Sequence, residues 1–120
     1  MTDRTFIITD SDCIKKTPYN FEIFDSEPEL NYAKYLEEND DVLKWTKHHK
    51  IQITYLWNGE KHKYEPDFLI EFKDGHKEIH ELKGPVWLKD ELNKAKYNAA
   101  KKWCEERNII YKLIVPESSQ

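Results

Sequence analysis

Glycine and proline are scarce in this chain, with three and five among 120 residues. That scarcity excludes a loop-rich scaffold and makes each one present a marker of a particular turn or boundary. No run of 18 apolar residues occurs and no apolar leader is recognisable, so neither a membrane span nor secretion is expected. Cysteine is limited to Cys13 and Cys104, two isolated residues without metal-ligand spacing. They read as reduced thiols of a cytoplasmic protein rather than a disulfide framework. A positive charge excess is also missing: 19 Lys and Arg stand against 23 Asp and Glu, for a net charge of −4. Proteins held to nucleic acid by diffuse charge are usually basic. A nucleic-acid partner would therefore require locally gathered lysines, a metal ion or a second subunit.

What is present suffices for one packed domain. Hydrophobic residues make up 38% and aromatics 13% of a chain too short for two cores. Residues 1–25 form an N-terminal arm to which the sequence assigns no role. Within it Phe6-Ile7-Ile8 reads as a short strand, and Asp10-Ser11-Asp12 and Thr17-Pro18 as turns.

The remainder, residues 26–120, is expected to be the functional domain. Ser26 is placed to cap a helix with Pro28 in its first turn and Glu27 and Glu29 near the positive end of the dipole. Leu30, Ala33 and Leu36, helped by Tyr32 and Tyr35, give that helix an apolar stripe; it should fade near Asn39-Asp40-Asp41. Val42, Leu43 and Trp45 then lead into a sheet. From Ile51 the period changes to two, with Ile51, Ile53, Tyr55 and Trp57 alternating with Gln52, Thr54 and Leu56. Asn58-Gly59 signals a hairpin, followed by a second strand from about His62 to Phe72 and a third from His76 to Lys83. Gly84-Pro85 ends the third strand. A long helix is expected from about Leu88 to Arg107, burying Leu88, Leu92, Ala95, Ala99 and Trp103. Ile109 to Val115 reads as a continuous apolar strand buried inside a sheet and parallel to its predecessor. The expected fold is α/β, a helix, a three-stranded antiparallel meander, a helix and a strand (αβββαβ) in a mixed sheet.

The chemistry lies around the Lys73-Asp74-Gly75 bend. With a two-residue turn at Asp74-Gly75, Asp67 would face Leu82 and Glu81 would point away. With a three-residue loop, Gly75 takes the left-handed bulge position and Phe72 pairs with His76. Asp67 then lies opposite Glu81, with Lys83 on the same face opposite Glu65. One residue of register decides whether a site exists, and the position of Gly75 favours the three-residue loop. Two carboxylates face to face on a strand pair repel one another. A divalent cation relieves that repulsion, and magnesium accepts one or two carboxylates while keeping several waters. Lys83 would add positive charge at the same spot. The five histidines, His48, His49, His62, His76 and His80, lack zinc-site spacing, and His80 falls on the face opposite Glu81. Lys94 and Lys101, seven residues apart on one helix, read first as a solvated face and second as backbone contacts to DNA.

Pro66-Asp67 followed by Glu81-Leu82-Lys83 resembles the PD-(D/E)XK nuclease superfamily, whose restriction-endonuclease-like core has this element order. Ser26-Glu27-Pro28-Glu29, Asp41-Val42-Leu43-Lys44-Trp45, Tyr64-Glu65-Pro66-Asp67-Phe68 and Glu81-Leu82-Lys83-Gly84 resemble two of its branches. These are the endonuclease region of type III restriction subunits and the TnsA-type transposon endonuclease. Lys94, Ala99-Ala100 and Trp103 fit the same branches, so the likeness spans roughly residues 26–115. The resemblance implies hydrolysis of DNA phosphodiester bonds by a magnesium-activated water, with manganese able to substitute. Asp67 and Glu81 would ligate the metal, the main-chain carbonyl of Leu82 would be a third ligand, and Lys83 would be the catalytic lysine. Glu29 matches an acidic position that these families place near the metal, and equally the third helical residue of a capping box. DNA is the implied partner, together with a homodimer or a partner subunit of restriction or transposition machinery. The alternative is a nuclease-fold DNA- or protein-binding subunit that is inactive without its partner.

Overall fold

The computed structural model describes residues 6–9, 15–19, 21–24, 26–84 and 86–115, with residues 6–9 and Phe21 described by their backbone alone. Cys13, the Asp10-Ser11-Asp12 turn and Pro85 lie outside the described residues.

Strands β1 (Phe6–Thr9) and β2 (Phe21–Phe24) pair antiparallel as a two-stranded sheet. Helix α1 (Glu27–Glu38) follows, and Ser26 caps it in extended backbone, its hydroxyl accepting the Glu29 N–H at 3.3 Å. This satisfies one of the amide donors that every helix start leaves without an intrahelical partner. Ala33 and Leu36 are buried, Leu30 and Tyr32 pack against the core, and Tyr35 is exposed. The chain continues through β3 (Val42–Thr46), β4 (Ile53–Trp57), β5 (Glu60–Tyr64), β6 (Phe68–Phe72) and β7 (Lys77–Leu82). A 3-10 turn at Trp87–Lys89 leads into α2 (Glu91–Glu105) and then β8 (Ile109–Ile114).

The principal sheet runs β3-β6-β7-β8; β7 is antiparallel to β6 and parallel to β8 across the α2 crossover. The molecule is thus α/β with a mixed sheet and interleaved helices. The meander, however, is built from other strands than the sequence predicts. Its first strand is Val42–Thr46, and the expected strand from His62 to Phe72 is two strands broken at Glu65-Pro66-Asp67. Strands β4 and β5 form a separate ribbon inserted between β3 and β6. The physical reason is the proline, which has no N–H for a ladder and separates the ribbon from the sheet. Asn58 and Gly59 close the ribbon at φ 52° and 78°, the backbone that a tight two-residue hairpin requires.

Two further expectations are corrected. Helix α2 begins at Glu91, capped by Asp90 through the Leu92 N–H at 2.9 Å, because Trp87–Lys89 winds as a 3-10 turn. Its fully buried residues are Ala100 and Cys104, whereas Leu88, Leu92, Ala95, Ala99 and Trp103 are only half-buried. The buried centre is turned by one residue, about 100° around the axis. Strand β8 is parallel to β7 as expected, but it is an edge strand of this sheet, with Ile110 and Lys112 exposed.

The core gathers Phe24, Ala33, Leu36, Val42, Trp45, Phe68, Ile70 and Leu82. Phe68 sits among the rings of Phe24, Tyr32 and Trp45, at centroid distances of 6.4, 5.5 and 5.9 Å. Its removal to alanine would cost about 3–5 kcal/mol. Because neighbours in extended chain point to opposite sides, anchoring Phe68 in this core turns Asp67 away from it.

Candidate active site

The bend between β6 and β7 is the three-residue loop. The Phe72 N–H donates to the His76 carbonyl and the Gly75 N–H to the Phe72 carbonyl, each at 2.9 Å, and Gly75 has φ 97°. The ladder pairs Phe68 with His80, and one further step brings Asp67 opposite Glu81. The two acids are clasped reciprocally. The Asp67 N–H donates to Glu81 Oε1 at 3.0 Å, and the Leu82 N–H donates to Asp67 Oδ2 at 2.8 Å. Each carboxylate therefore uses one oxygen to hold the partner strand. Lys83 Nζ lies 3.9 Å from Glu81 Oε2 and 5.8 Å from the Trp87 ring centroid. Glu81 is buried and Lys83 reaches solvent.

Electrostatics follow from this burial. Burial first and the Asp67 charge second, opposed by Lys83, push the Glu81 carboxyl up to about 8. Burial also raises Asp67, opposed by Lys83 and by the Leu82 N–H bond. Two acids that ionise only at a cost, and stay raised despite Lys83, form a site short of positive charge.

Glu29 is brought to the same neighbourhood. Its N–H completes the Ser26 cap, its carboxylate pairs with Lys47 Nζ at 2.5 Å, and its charge raises both Asp67 and Glu81. Lys47 was not foreseen in the sequence, where it is one of several lysines after β3. It lowers Asp67 and lies 5.8 Å from the Phe68 ring centroid. The N-terminal stretch holds this region in place. Buried Glu22 accepts from Thr46 Oγ1 at 2.7 Å, from the Lys47 N–H at 3.1 Å and from Thr17 Oγ1, and it contacts His48 Nδ1 at 2.9 Å.

His49 likewise carries no signal in the sequence. Its Nδ1 accepts the Ile51 N–H at 2.9 Å and its Nε2 donates to the Pro66 carbonyl at 2.7 Å, pinning the residue before Asp67. Burial lowers its pKa, in keeping with that neutral tautomer. No spacing signal connects residues 49 and 66; only the folded chain does. Tyr64 and Tyr111 lie close enough to Glu81 for its charge, after burial, to raise both phenols. The Tyr64 hydroxyl donates to the Lys96 carbonyl at 3.2 Å.

His80 lies on the other face of β7, between Tyr32 Oη at 2.6 Å and Glu78 Oε1 at 2.7 Å. Lys94 pairs with Glu91 at 2.8 Å, and Lys101 is exposed. Cys104 is a free buried thiol raised to about 11 by burial, which makes it unreactive.

Among the described residues no group of three or more His, Cys, Asp or Glu side chains is placed to hold an ion. What exists is a pair of hard carboxylates with raised pKa values, which fits a magnesium that takes one or two carboxylates and completes its shell elsewhere. No described helix is long and apolar enough to cross a membrane.

Residues 39–115, more than half of the chain, match the family model described as TnsA-like endonuclease N terminal. The match includes Lys47, His49, Asp67, Glu81 and Lys83, while α1 with Glu29 precedes it. No curated protein matches the chain.

Proposed function

Because this chain belongs to the TnsA-like endonuclease N-terminal family, we propose that it is a magnesium-dependent endonuclease acting on DNA at Asp67, Glu81 and Lys83. The observation that carries the reading is the reciprocal clasp of Asp67 and Glu81, with Lys83 Nζ 3.9 Å from Glu81. A divalent cation held by Asp67, Glu81 and the Leu82 carbonyl would activate water and neutralise a phosphate, and manganese would serve as well. The protein residues do the remainder. Asp67 and Glu81 fix each other through main-chain N–H groups, so neither needs to reorganise when substrate arrives. Lys83 holds its ammonium where negative charge develops on a phosphodiester. Glu29 adds acidity to the same pocket, and Lys47 compensates part of it.

Supercoiled plasmid incubated with magnesium is expected to be nicked by the parent and left intact by Lys83→Ala, Asp67→Ala and Glu81→Ala. Equal nicking by Lys83→Ala would remove the assignment.

A second reading is favoured by the charge of −4. In it the chain is a nuclease-fold subunit that depends on a partner, or a second copy, for a productive grip on DNA. It predicts parent protein that binds metal but leaves plasmid uncut until that partner is added.

A further inference from the structure

Charge is segregated along this chain. Residues 26–41 carry six acids and one lysine, whereas residues 42–64 carry five lysines and one acid. The basic stretch contains the β4–β5 ribbon that interrupts the meander. In its register Ile53, Tyr55 and Trp57 stand opposite Tyr64, His62 and Glu60, while Thr54 and Leu56 stand opposite Lys63 and Lys61. The first face is anchored to the body of the protein: Ile53 is buried, Tyr55 and Tyr64 meet edge to face, and Lys96 of α2 lies over both rings. The second face is exposed at Thr54, Leu56, Lys61 and Lys63. Leu56 is 63% exposed, the cost of which folding does not explain. Between this face and α2 runs a groove of about 530 Å³ that includes Leu56, Lys61, Lys102 and Trp103.

We propose that the Lys61–Lys63 face of the β4–β5 ribbon is the surface that grips the DNA phosphate backbone and leads it to the acidic pair. This rests on the nuclease reading above and adds to it the place where the duplex is held. Three features carry it. Lys61 and Lys63 project from one face of a strand with Cα atoms about 6.7 Å apart, a spacing suited to consecutive phosphates. The ribbon is held stiff by its tight turn and its aromatic underside, so the lysines are presented on a rigid element, as in β-ribbons that enter DNA grooves. Strand β5 also runs directly into Glu65-Pro66-Asp67, so the Cα atoms of Lys63 and Asp67 are no more than about 14 Å apart. A strand of DNA held by the ribbon therefore passes close to the site. Leu56, directly opposite Lys61 across the ribbon, would be covered by the sugar edge. The excess of acid elsewhere concentrates attraction on this face and discourages binding in other orientations.

The test is binding of a fluorescent duplex to the full chain in chelator, where cutting cannot occur, across a salt series. The double variant Lys61→Ala/Lys63→Ala alters only exposed side chains and should keep the parent's melting temperature. It is expected to bind about tenfold more weakly at moderate salt, and the slope of log affinity against log salt should shrink by about 1.8, about 0.9 per lost phosphate contact. Lys61→Glu/Lys63→Glu should weaken binding further. Parent-like affinity and slope in both variants overturn the proposal while leaving the nuclease reading intact. A parent chain that binds no duplex and cuts no plasmid overturns both. If the variants instead dissociate a dimer seen by sedimentation and bind DNA unchanged, a second copy covers the ribbon and the proposal fails.

Discussion

Strand β7 carries a buried carboxylate on each of its faces, and the two behave oppositely. Glu78 accepts from His80 Nε2 and His76 Nε2 at 2.7 Å each and lies 3.3 Å from Lys112 Nζ. Burial raises its carboxyl, but these partners outweigh burial and hold it below the ordinary value. Glu81, three residues on, meets a second acid and one lysine, and its carboxyl is raised to about 8. Burial therefore does not mark the site. What distinguishes Glu81 is that its partners in the protein do not neutralise it, the property on which the proposed cation-dependent reading rests. The Glu78 face is internally satisfied and stabilises the fold.

The sharpest way to break this comparison is to remove a charge from each face and read both activity and stability. Lys83→Ala is expected to reduce plasmid nicking at least about 100-fold while leaving the melting temperature nearly unchanged. Glu78→Gln should do the reverse, costing about 1–3 kcal/mol through its weakened network while nicking stays within a few-fold of the parent. If Glu78→Gln abolishes nicking in protein that is still folded, the division of labour between the faces is wrong.

A smaller effect sharpens the same contrast through pH. The folded Glu81 carboxyl lies near 8, above its ordinary value of 4.5. The unfolded chain therefore releases this proton at lower pH than the native protein does. Without metal, the stability that protonated Glu81 preserves is lost as pH rises from about 4.5 to about 8. Glu81→Gln should flatten that alkaline decline. Magnesium competes for the ionised pair, so it should raise the melting temperature more at pH 8 than at pH 6. A magnesium shift that is equal at both pH values, or that persists in Glu81→Gln, would remove Glu81 from the metal site. Both readings come from thermal melts.

The register of the bend between β6 and β7 was more legible than the frame around it. Gly75 alone discriminates the two loop registers, and the register fixes which residues oppose each other, so the pairing of Asp67 with Glu81 follows from one residue. The element order around it was harder. The periodicity of Ile53 to Trp57 and the Asn58-Gly59 turn identified a real hairpin but not the sheet to which it belongs. Strand partners are chosen by tertiary burial, and Val42–Thr46 takes the first place in the meander because Val42 and Trp45 fill the core under α1. Ile109 to Ile114 is apolar enough to suggest an interior strand, yet Lys112 faces solvent and Glu78 at the edge. Lys47 and His49 were invisible because their roles depend on contacts with Glu29 and Pro66, far away in sequence.

His49 yields the smallest predicted effect, and it tests whether the Asp67 face depends on geometry as well as charge. Its ring is oriented by two bonds, accepting at Nδ1 from the Ile51 N–H and donating at Nε2 to the Pro66 carbonyl. Burial lowers its pKa from 6.5, so the neutral ring is favoured in the folded protein. A proton added at Nδ1 would set one donor against another and break the bond to Ile51. The stabilising contribution is thus fully present above about pH 6.5 and is lost as pH falls below it, the opposite direction from Glu81. His80, also lowered by burial, contributes with the same sign. His49→Ala should cost about 1 kcal/mol, a drop of roughly 3–6 °C in melting temperature, and should shallow the acid side of the pH profile. Because Pro66 directly precedes Asp67, the same variant should slow nicking several-fold at neutral pH while magnesium still raises its melting temperature. Unchanged nicking with the same loss of stability would make His49 a structural pin only, and the aim of Asp67 would then rest on the Leu82 and Glu81 bonds.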